Sequence, residues 1–136
     1  MNLNPYLHFK GQCEEAFKFY EKCLGAKIEV MIPFEGTPAA EQAPAEWRKK
    51  IMHARLMLNG QALMGSDPPP AYYQKPEGFS VAINVKDAGE AERIFASLSV
   101  NAMTIKMPIQ QTFWAVRFGM LVDRFGIPWM VNCEAD

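Results

Sequence analysis

The sequence predicts an α+β fold of two βαβββ modules, whose strands form a curved mixed sheet around an open cavity. Three observations predict it. The order strand, helix, three strands runs twice along the chain. The stretch Ser66-Asp67-Pro68-Pro69-Pro70, which cannot belong to a sheet interior, falls almost midway between the two runs. Each helix offers one apolar stripe, enough to cover one face of its own sheet, while the strand faces opposite carry polar residues. The 136 residues are read as one domain, with module 1 at 1–66, a proline-rich connection at 67–77 and module 2 at 78–136.

In module 1, Leu3, Pro5, Leu7 and Phe9 alternate with Asn4, Tyr6, His8 and Lys10, the two-residue period of a strand with one apolar face. Gly11 breaks it. Cys13, Ala16, Phe17, Tyr20, Cys23 and Leu24 then recur at helical spacing until Gly25 stops the helix. Ile28 to Ile32 reads as the second strand. Residues 33 to 48 read as an insertion with at most one short helical turn, near Glu46. Strands at Ile51–Leu58 and Gln61–Gly65 are joined by Asn59-Gly60, a hairpin signal. The connection that follows reads as stiff and extended.

In module 2, Phe79, Val81, Ile83 and Val85 alternate with Ser80, Ala82 and Asn84. Asp87 and Glu90 have the spacing of an N-cap and its reciprocal glutamate, and Ala91, Ile94, Phe95 and Leu98 supply the buried stripe of the helix. Met103–Met107, Phe113–Val122 and Ile127–Cys133 read as the last strands, with Asp123-Arg124-Phe125-Gly126 as the final turn. The segments Gly60–Ser66 and Gly126–Asn132 align, placing Met64 on Met130 and Ser66 on Asn132, so a duplicated unit is the economical explanation.

Composition limits the classes of function. Fourteen basic and 15 acidic residues give a net charge of −1, with no electrostatic reason to expect nucleic acid or an anionic membrane as partner. No apolar run is long enough to span a bilayer, and Met1–Pro5 has no features of a secretion signal. Cys13 and Cys23 lie ten positions apart on one helix, about 15 Å, too far to bond to each other. Three unpaired thiols suit a cytoplasmic location, and they read as small buried apolar groups.

The residues resemble a known family at this point. Pro5-Tyr6-Leu7-His8-Phe9-Lys10-Gly11, Glu14-Glu15-Ala16-Phe17-Lys18-Phe19-Tyr20 through Leu24-Gly25-Ala26, Met52-His53-Ala54-Arg55, Thr112-Phe113-Trp114-Ala115, and Phe118-Gly119 with Asp123 to Asn132 are similar to the PhnB-like branch of the vicinal oxygen chelate superfamily, which includes glyoxalase I, bleomycin-resistance proteins and extradiol dioxygenases. The resemblance implies a glyoxalase/bleomycin-resistance-like fold and a homodimer, sometimes with modules exchanged between chains. Metal-dependent members hold a divalent ion with His or Glu from four strands. Those positions fall near Asn4 or Pro5 and at Met64, Ser80 and Met130, none a competent ligand for zinc, nickel or iron. The expectation is therefore no metal and no cofactor. PhnB-like proteins are often described as demethylubiquinone methyltransferases, but the sequence has no glycine-rich strand-to-helix loop to cradle a nucleoside cofactor.

The chemistry-bearing residues point to a small-molecule ligand. His8 lies on the polar face of the first strand, and His53 and Arg55 share one face of the third. Either histidine is a candidate acid-base group, since imidazole ionises near neutrality, and either suits plain hydrogen bonding. Arg55 and Arg117 are read as holding similar places in the two halves, as a cation pair for an anionic group or as ion pairs with nearby acids. Met64 and Met130 suit an adaptable apolar lining or core filling. Tyr6, Ser80, Trp114 and Asn132 complete the set expected to touch ligand, whereas Trp129 alternates onto the helix-facing side. Ser66 and Ser80 lack the partners of a nucleophilic triad. The expected function is metal-free binding that sequesters or senses a small organic compound. The alternative is a metal-independent lyase or isomerase using His53 or His8.

Overall fold

The computed structural model describes residues 1–134 and divides into two units, Met1–Lys75 and Pro76 onward. In the first unit, strand β1 (Tyr6–His8) leads to helix α1 (Cys13–Leu24), then β2 (Lys27–Pro33), β3 (Ile51–Leu58) and β4 (Gln61–Ser66). In the second, β5 (Val81–Val85) leads to α2 (Ala88–Leu98), then β6 (Thr104–Gln110), β7 (Ala115–Val122) and β8 (Pro128–Glu134). The sheets have matching orders, β1-β4-β3-β2 and β5-β8-β7-β6. In each, the first and last strands of the unit pair in parallel and the other pairs are antiparallel. This is the α+β arrangement of paired βαβββ modules that the sequence predicts.

The helices form where the apolar period demands. Cys13, Ala16, Phe17, Tyr20 and Cys23 are the buried residues of α1, and Gly25 ends it at φ 67°, a left-handed conformation that costs glycine little. Asp87 caps α2 by accepting from the Glu90 N–H at 2.9 Å, and Ala91, Ile94, Phe95 and Leu98 are its buried residues. Asn59 and Gly60 both take positive φ in the β3–β4 hairpin, as the sequence signal requires. Helix α1 packs on β3 and β2, and α2 packs on β7, β8 and β5. Each sheet therefore has one face beneath its helix and one face free of it.

Glycines let the helices approach. A Cβ on Gly65 would lie 2.9 Å from the Leu7 carbonyl and 3.1 Å from the Phe17 ring, and one on Gly119 would lie 2.6 Å from the Phe95 ring. These contacts fix the faces. The row Leu7–Gly65–Ala54 faces α1, and Gly119–Val131–Ile83 faces α2.

Several expectations need correction. Strand β1 has three residues, and Leu3 is 99% exposed rather than beneath the helix, because among the described residues no partner strand runs opposite it. Phe79 and Ser80 precede β5, and Phe79 is exposed. The insertion carries two 3-10 turns, Pro38–Gln42 and Ala45–Trp47, the first capped by the Thr37 hydroxyl, where one turn was expected. A third 3-10 turn, Pro70–Tyr72, interrupts the connection expected to be extended, with Pro70 preset at its first position. Strand β6 starts at Thr104 and runs past Met107 to Gln110, and β7 starts at Ala115, leaving Phe113 and Trp114 before it.

Candidate functional site

In unit 1 the pairing register lines residues up across the helix-free face. Tyr6, Met64, Arg55 and Val30 form one row, because β1 pairs Tyr6 with Met64, β4 pairs Met64 with Arg55, and β3 pairs Arg55 with Val30. The next row contains His8, Ser66 and, one residue before Ala54, His53, which pairs with Ile32. Alternation puts both rows opposite the Leu7–Gly65–Ala54 row that α1 covers. Tyr6, His8, His53, Arg55 and Met64 thus share one face.

The rings in this group touch. The Tyr6 hydroxyl and His53 Nδ1 are joined by a hydrogen bond of 3.1 Å, and the two rings stack with centroids 5.7 Å apart. His8 meets Tyr6 edge-on at 5.6 Å. With the phenol as donor, His53 Nδ1 is the acceptor and Nε2 carries the ring N–H. Tyr6 and His8 are exposed and His53 is half-buried, so the cluster is open to a ligand.

Arg55 donates to Glu29 at 3.1 Å, an ion pair between two partly exposed groups. A bulge between Ile28 and Val30 sets Glu29 out of the regular ladder. Sequence reading missed Glu29, since a bulge has no periodic signature.

In unit 2 the corresponding rows are Ala82–Met130–Met120–Met107 and Asn84–Asn132–Phe118–Gln110. Asn132 Nδ2 donates to Asn84 Oδ1 at 3.2 Å, and the buried Asn132 Oδ1 has no hydrogen-bond partner among the described residues. Trp114 meets Phe118 edge-on at 5.4 Å. Met130, Asn132 and Trp114 therefore gather around the helix-free face of this sheet, while Ser80 lies just ahead of β5. Trp129 is 1% exposed on the other face and donates from Nε1 to Asp123 at 2.8 Å.

The expected likeness of Arg55 and Arg117 is corrected by the register. Arg117 pairs with Cys133 on the α2-facing side and donates to Glu92 of α2 at 2.7 Å. The residue that holds Arg55's place in unit 2 is Met120, the partner of Met130.

A second feature was invisible in the sequence. The Asp67 carboxylate, 1% exposed, accepts from the N–H groups of Gly11, Cys13 and Ile51 at 2.9, 3.0 and 2.9 Å. Burial raises its ionisation above the ordinary carboxylate value, against the lowering effect of these three donors and Lys50. Burial also pushes the Cys13 thiol well above its usual range, with the Asp67 and Glu14 charges adding to the effect, so the thiol stays protonated and unreactive. An open depression of about 360 Å³ adjoins this point, lined by Gly11, Gln12, Glu14, Lys18, Lys49 and Lys50 among others, and by none of the predicted ligand residues.

Neither implied group fits these residues. The positions that the resemblance implies for a metal fall near Asn4 or Pro5 and at Met64, Ser80 and Met130, and among the described residues no three His, Cys, Asp or Glu side chains gather as a metal site. A nucleoside cofactor would need free amides at a glycine-rich helix start. Here the Gly11 and Cys13 amides are taken by Asp67. Among the described residues, no helix is long and apolar enough to cross a membrane.

Comparison with known proteins agrees with this architecture. The family model described as 3-demethylubiquinone-9 3-methyltransferase matches residues 1–132. Protein YjdN of Escherichia coli (strain K12) is 36% identical over 140 residues, covering 97% of this chain and 95% of that protein. The crystal structure of protein PA1353 from Pseudomonas aeruginosa is 48% identical with a TM-score of 0.90, covering 100% of this chain and 99% of its own. A PhnB protein from Bacillus cereus shares the fold at TM-score 0.80 and 23% identity, over 98% and 99% of the two chains. The fold extends to a glyoxylase/bleomycin resistance/dioxygenase domain from Frankia sp. EAN1pec, at TM-score 0.60 and 12% identity over 98% and 95%. On this match over nearly its whole length, the chain belongs to the PhnB-like family, described as 3-demethylubiquinone-9 3-methyltransferase, with the fold of the vicinal oxygen chelate superfamily.

Proposed function

We propose that this protein binds a small organic molecule on the helix-free face of its first sheet, without a divalent ion, and so sequesters or senses it. The observation that carries this reading is the Tyr6–His53 pair with His8 beside it, three hydrogen-bonding rings gathered on one open sheet face together with Met64 and Arg55. Such a face offers apolar area plus a few directed polar groups, the usual make-up of a small-molecule site. Met64 supplies adaptable apolar contact, and Arg55, tied to Glu29, borders it. The depression near α1 is the weaker candidate, because two of its three lysines are used internally: Lys18 pairs with Glu14 at 2.7 Å and Lys50 donates to the Gly11 carbonyl at 3.0 Å. In unit 2, taken by itself, Met130, Asn132 and Trp114 are proposed as ligand contacts on that sheet's own helix-free face, with Ser80 at their margin; Arg117, held by Glu92, is not.

The second reading, a metal-independent lyase or isomerase, is favoured by one detail. The Tyr6 hydroxyl bonded to Nδ1 fixes the His53 ring and leaves Nε2 as the acid-base atom, with His8 as the alternative group. A homodimer in the cytoplasm completes the proposal. The dimer is supported by the exposed pair Phe113 and Trp114, 97% and 46% exposed.

A thermal-shift screen of small carbonyl, phenolic and carboxylate compounds tests the site. A compound at a hundred times its Kd stabilises the folded chain by about 2.7 kcal/mol. We expect that gain to shrink in His53→Ala and Tyr6→Phe, whereas equal shifts in wild type and both variants would refute the assignment. Conversion of a hit that survives a chelator and vanishes in His53→Ala or His8→Ala would select the enzymatic reading.

A further inference from the structure

We propose that the helix-free face of the second sheet carries a site for a soft monovalent metal ion, Cu(I) or its redox-inert counterpart Ag(I), built from the thioethers of Met107, Met120 and Met130. Three adjacent strands each place a methionine on the same register line: Met130 on β8 pairs with Met120 on β7, which pairs with Met107 on β6. Paired residues on one face of a sheet stand about 5 Å apart at Cβ. The unbranched methionine side chain, with three rotatable bonds, lets the outer two sulfurs lean over the central one. All three are half-buried, accessible to an ion yet partly withdrawn from water.

The neighbours make the donor set soft and uncharged. Ala82 ends the row and leaves room beside Met130, and the adjoining row holds Asn84, Asn132, Phe118 and Gln110, with no carboxylate or imidazole. Thioethers select Cu(I) and bind hard cations poorly, so such a set discriminates by chemistry more than by charge. Unit 1 provides the contrast. Its matching row, Tyr6–Met64–Arg55–Val30, has one methionine, and so lacks the set of three thioethers. The expectation of no metal rested on missing His and Glu ligands, a ground that does not reach thioethers. Cys133, the nearest thiol in the sheet, alternates onto the buried α2-facing side and is no part of the set. The proposal is independent of small-molecule binding at unit 1.

The test is a titration of protein carrying ¹³C-methyl methionine with Ag(I), and with Cu(I) under anaerobic conditions against a Cu(I) chelator, followed by NMR. One equivalent should move the methyl signals of Met107, Met120 and Met130 together and leave those of Met64 and Met103 in place. Met120→Leu, nearly isosteric and so expected to fold, should weaken binding by about an order of magnitude or more through loss of the central donor. The paired Met107→Leu/Met130→Leu variant should abolish it. Uptake that leaves the three methyl signals unmoved, or that persists at wild-type affinity in Met120→Leu, overturns the proposal. So does uptake lost only when Cys13, Cys23 and Cys133 are replaced by serine.

Discussion

The Asp67 carboxylate draws together parts of unit 1 that are 16 to 56 residues away in sequence, accepting from Gly11, Cys13 and Ile51 while its carbonyl accepts from Trp47 Nε1 at 3.1 Å. Nothing local marks it. In the sequence it is one polar residue ahead of three prolines, and its partners become neighbours only when β1, β3 and β4 pair. The same folding event buries Cys13 on the inner face of α1, and this gives a pH dependence of known sign. The folded thiol ionises well above its ordinary value near 9.0, because burial and the Asp67 charge disfavour the thiolate. Below pH 9 the thiol is protonated in both states, and the advantage of the folded state is fully present. As pH rises beyond 9, the unfolded chain releases the proton while the folded chain keeps it, so Cys13 contributes a loss of stability of up to about 1.4 kcal/mol per pH unit. Urea unfolding of wild type and Cys13→Ala from pH 8 to 10.5 should therefore give curves that converge with rising pH. Curves that stay parallel would show that the thiol does not titrate in this way.

Among the elements, α1 and α2 were legible almost to the residue, since the 3.6-residue apolar period and the Gly25 and Asp87 signals all point the same way. Short strands were less so. β1 shrank because alternation persists beyond the point where a partner strand exists, and the 3-10 turns at Pro38–Gln42 and Pro70–Tyr72 were missed because three to five residues carry no period. The faces of β7 show how sensitive such readings are. Counting in the sequence set Arg117 against Arg55, but the true equivalent is Met120, an odd number of residues away, and an odd shift moves a side chain to the opposite face. Close helix-to-sheet approach was equally hidden, as no pattern announces that Gly119 must lack a side chain. A methyl group at that position would stand 2.6 Å from the Phe95 ring and 3.0 Å from Ile109 Cα. Gly119→Ala should destabilise the fold by about 1–3 kcal/mol, the usual range for overpacking. Trimming the ring in Gly119→Ala/Phe95→Leu should recover part of that loss, so that the two changes are not additive in denaturant titrations. Additive losses would place the strain elsewhere, on the Ile109 backbone.

At the scale of the whole molecule, the two units repeat one topology but not one chemistry. Equivalent places hold Tyr6 and Ala82, His8 and Asn84, Ser66 and Asn132, His53 and Phe118, with Met64 and Met130 in common. The duplication was legible because strand order and the shared methionine survive divergence. Tyr6 and His53, 47 residues apart, were expected in one ligand set, but the direct bond between them depends on register and was not legible. This architecture also bears on the methyltransferase description attached to the family. A nucleoside methyl donor is ordinarily held where a parallel strand turns through glycines into a helix whose first amides are free. In unit 1 the strand-to-helix turn leads from β1 to α1 through Gly11, and Asp67 already occupies its amides with a buried negative charge. A carboxylate or ribose hydroxyl brought there would have to displace that internal cap and leave it uncompensated. We therefore predict that S-adenosylmethionine does not bind. For a cofactor with Kd near 10 μM, about 1 mM would be a hundredfold excess, adding about 2.7 kcal/mol and raising the melting temperature by several degrees in a chain of this size. A flat melting temperature across that range is the expected result, and a saturable rise would mean that the cap yields and the cofactor has a seat on this fold.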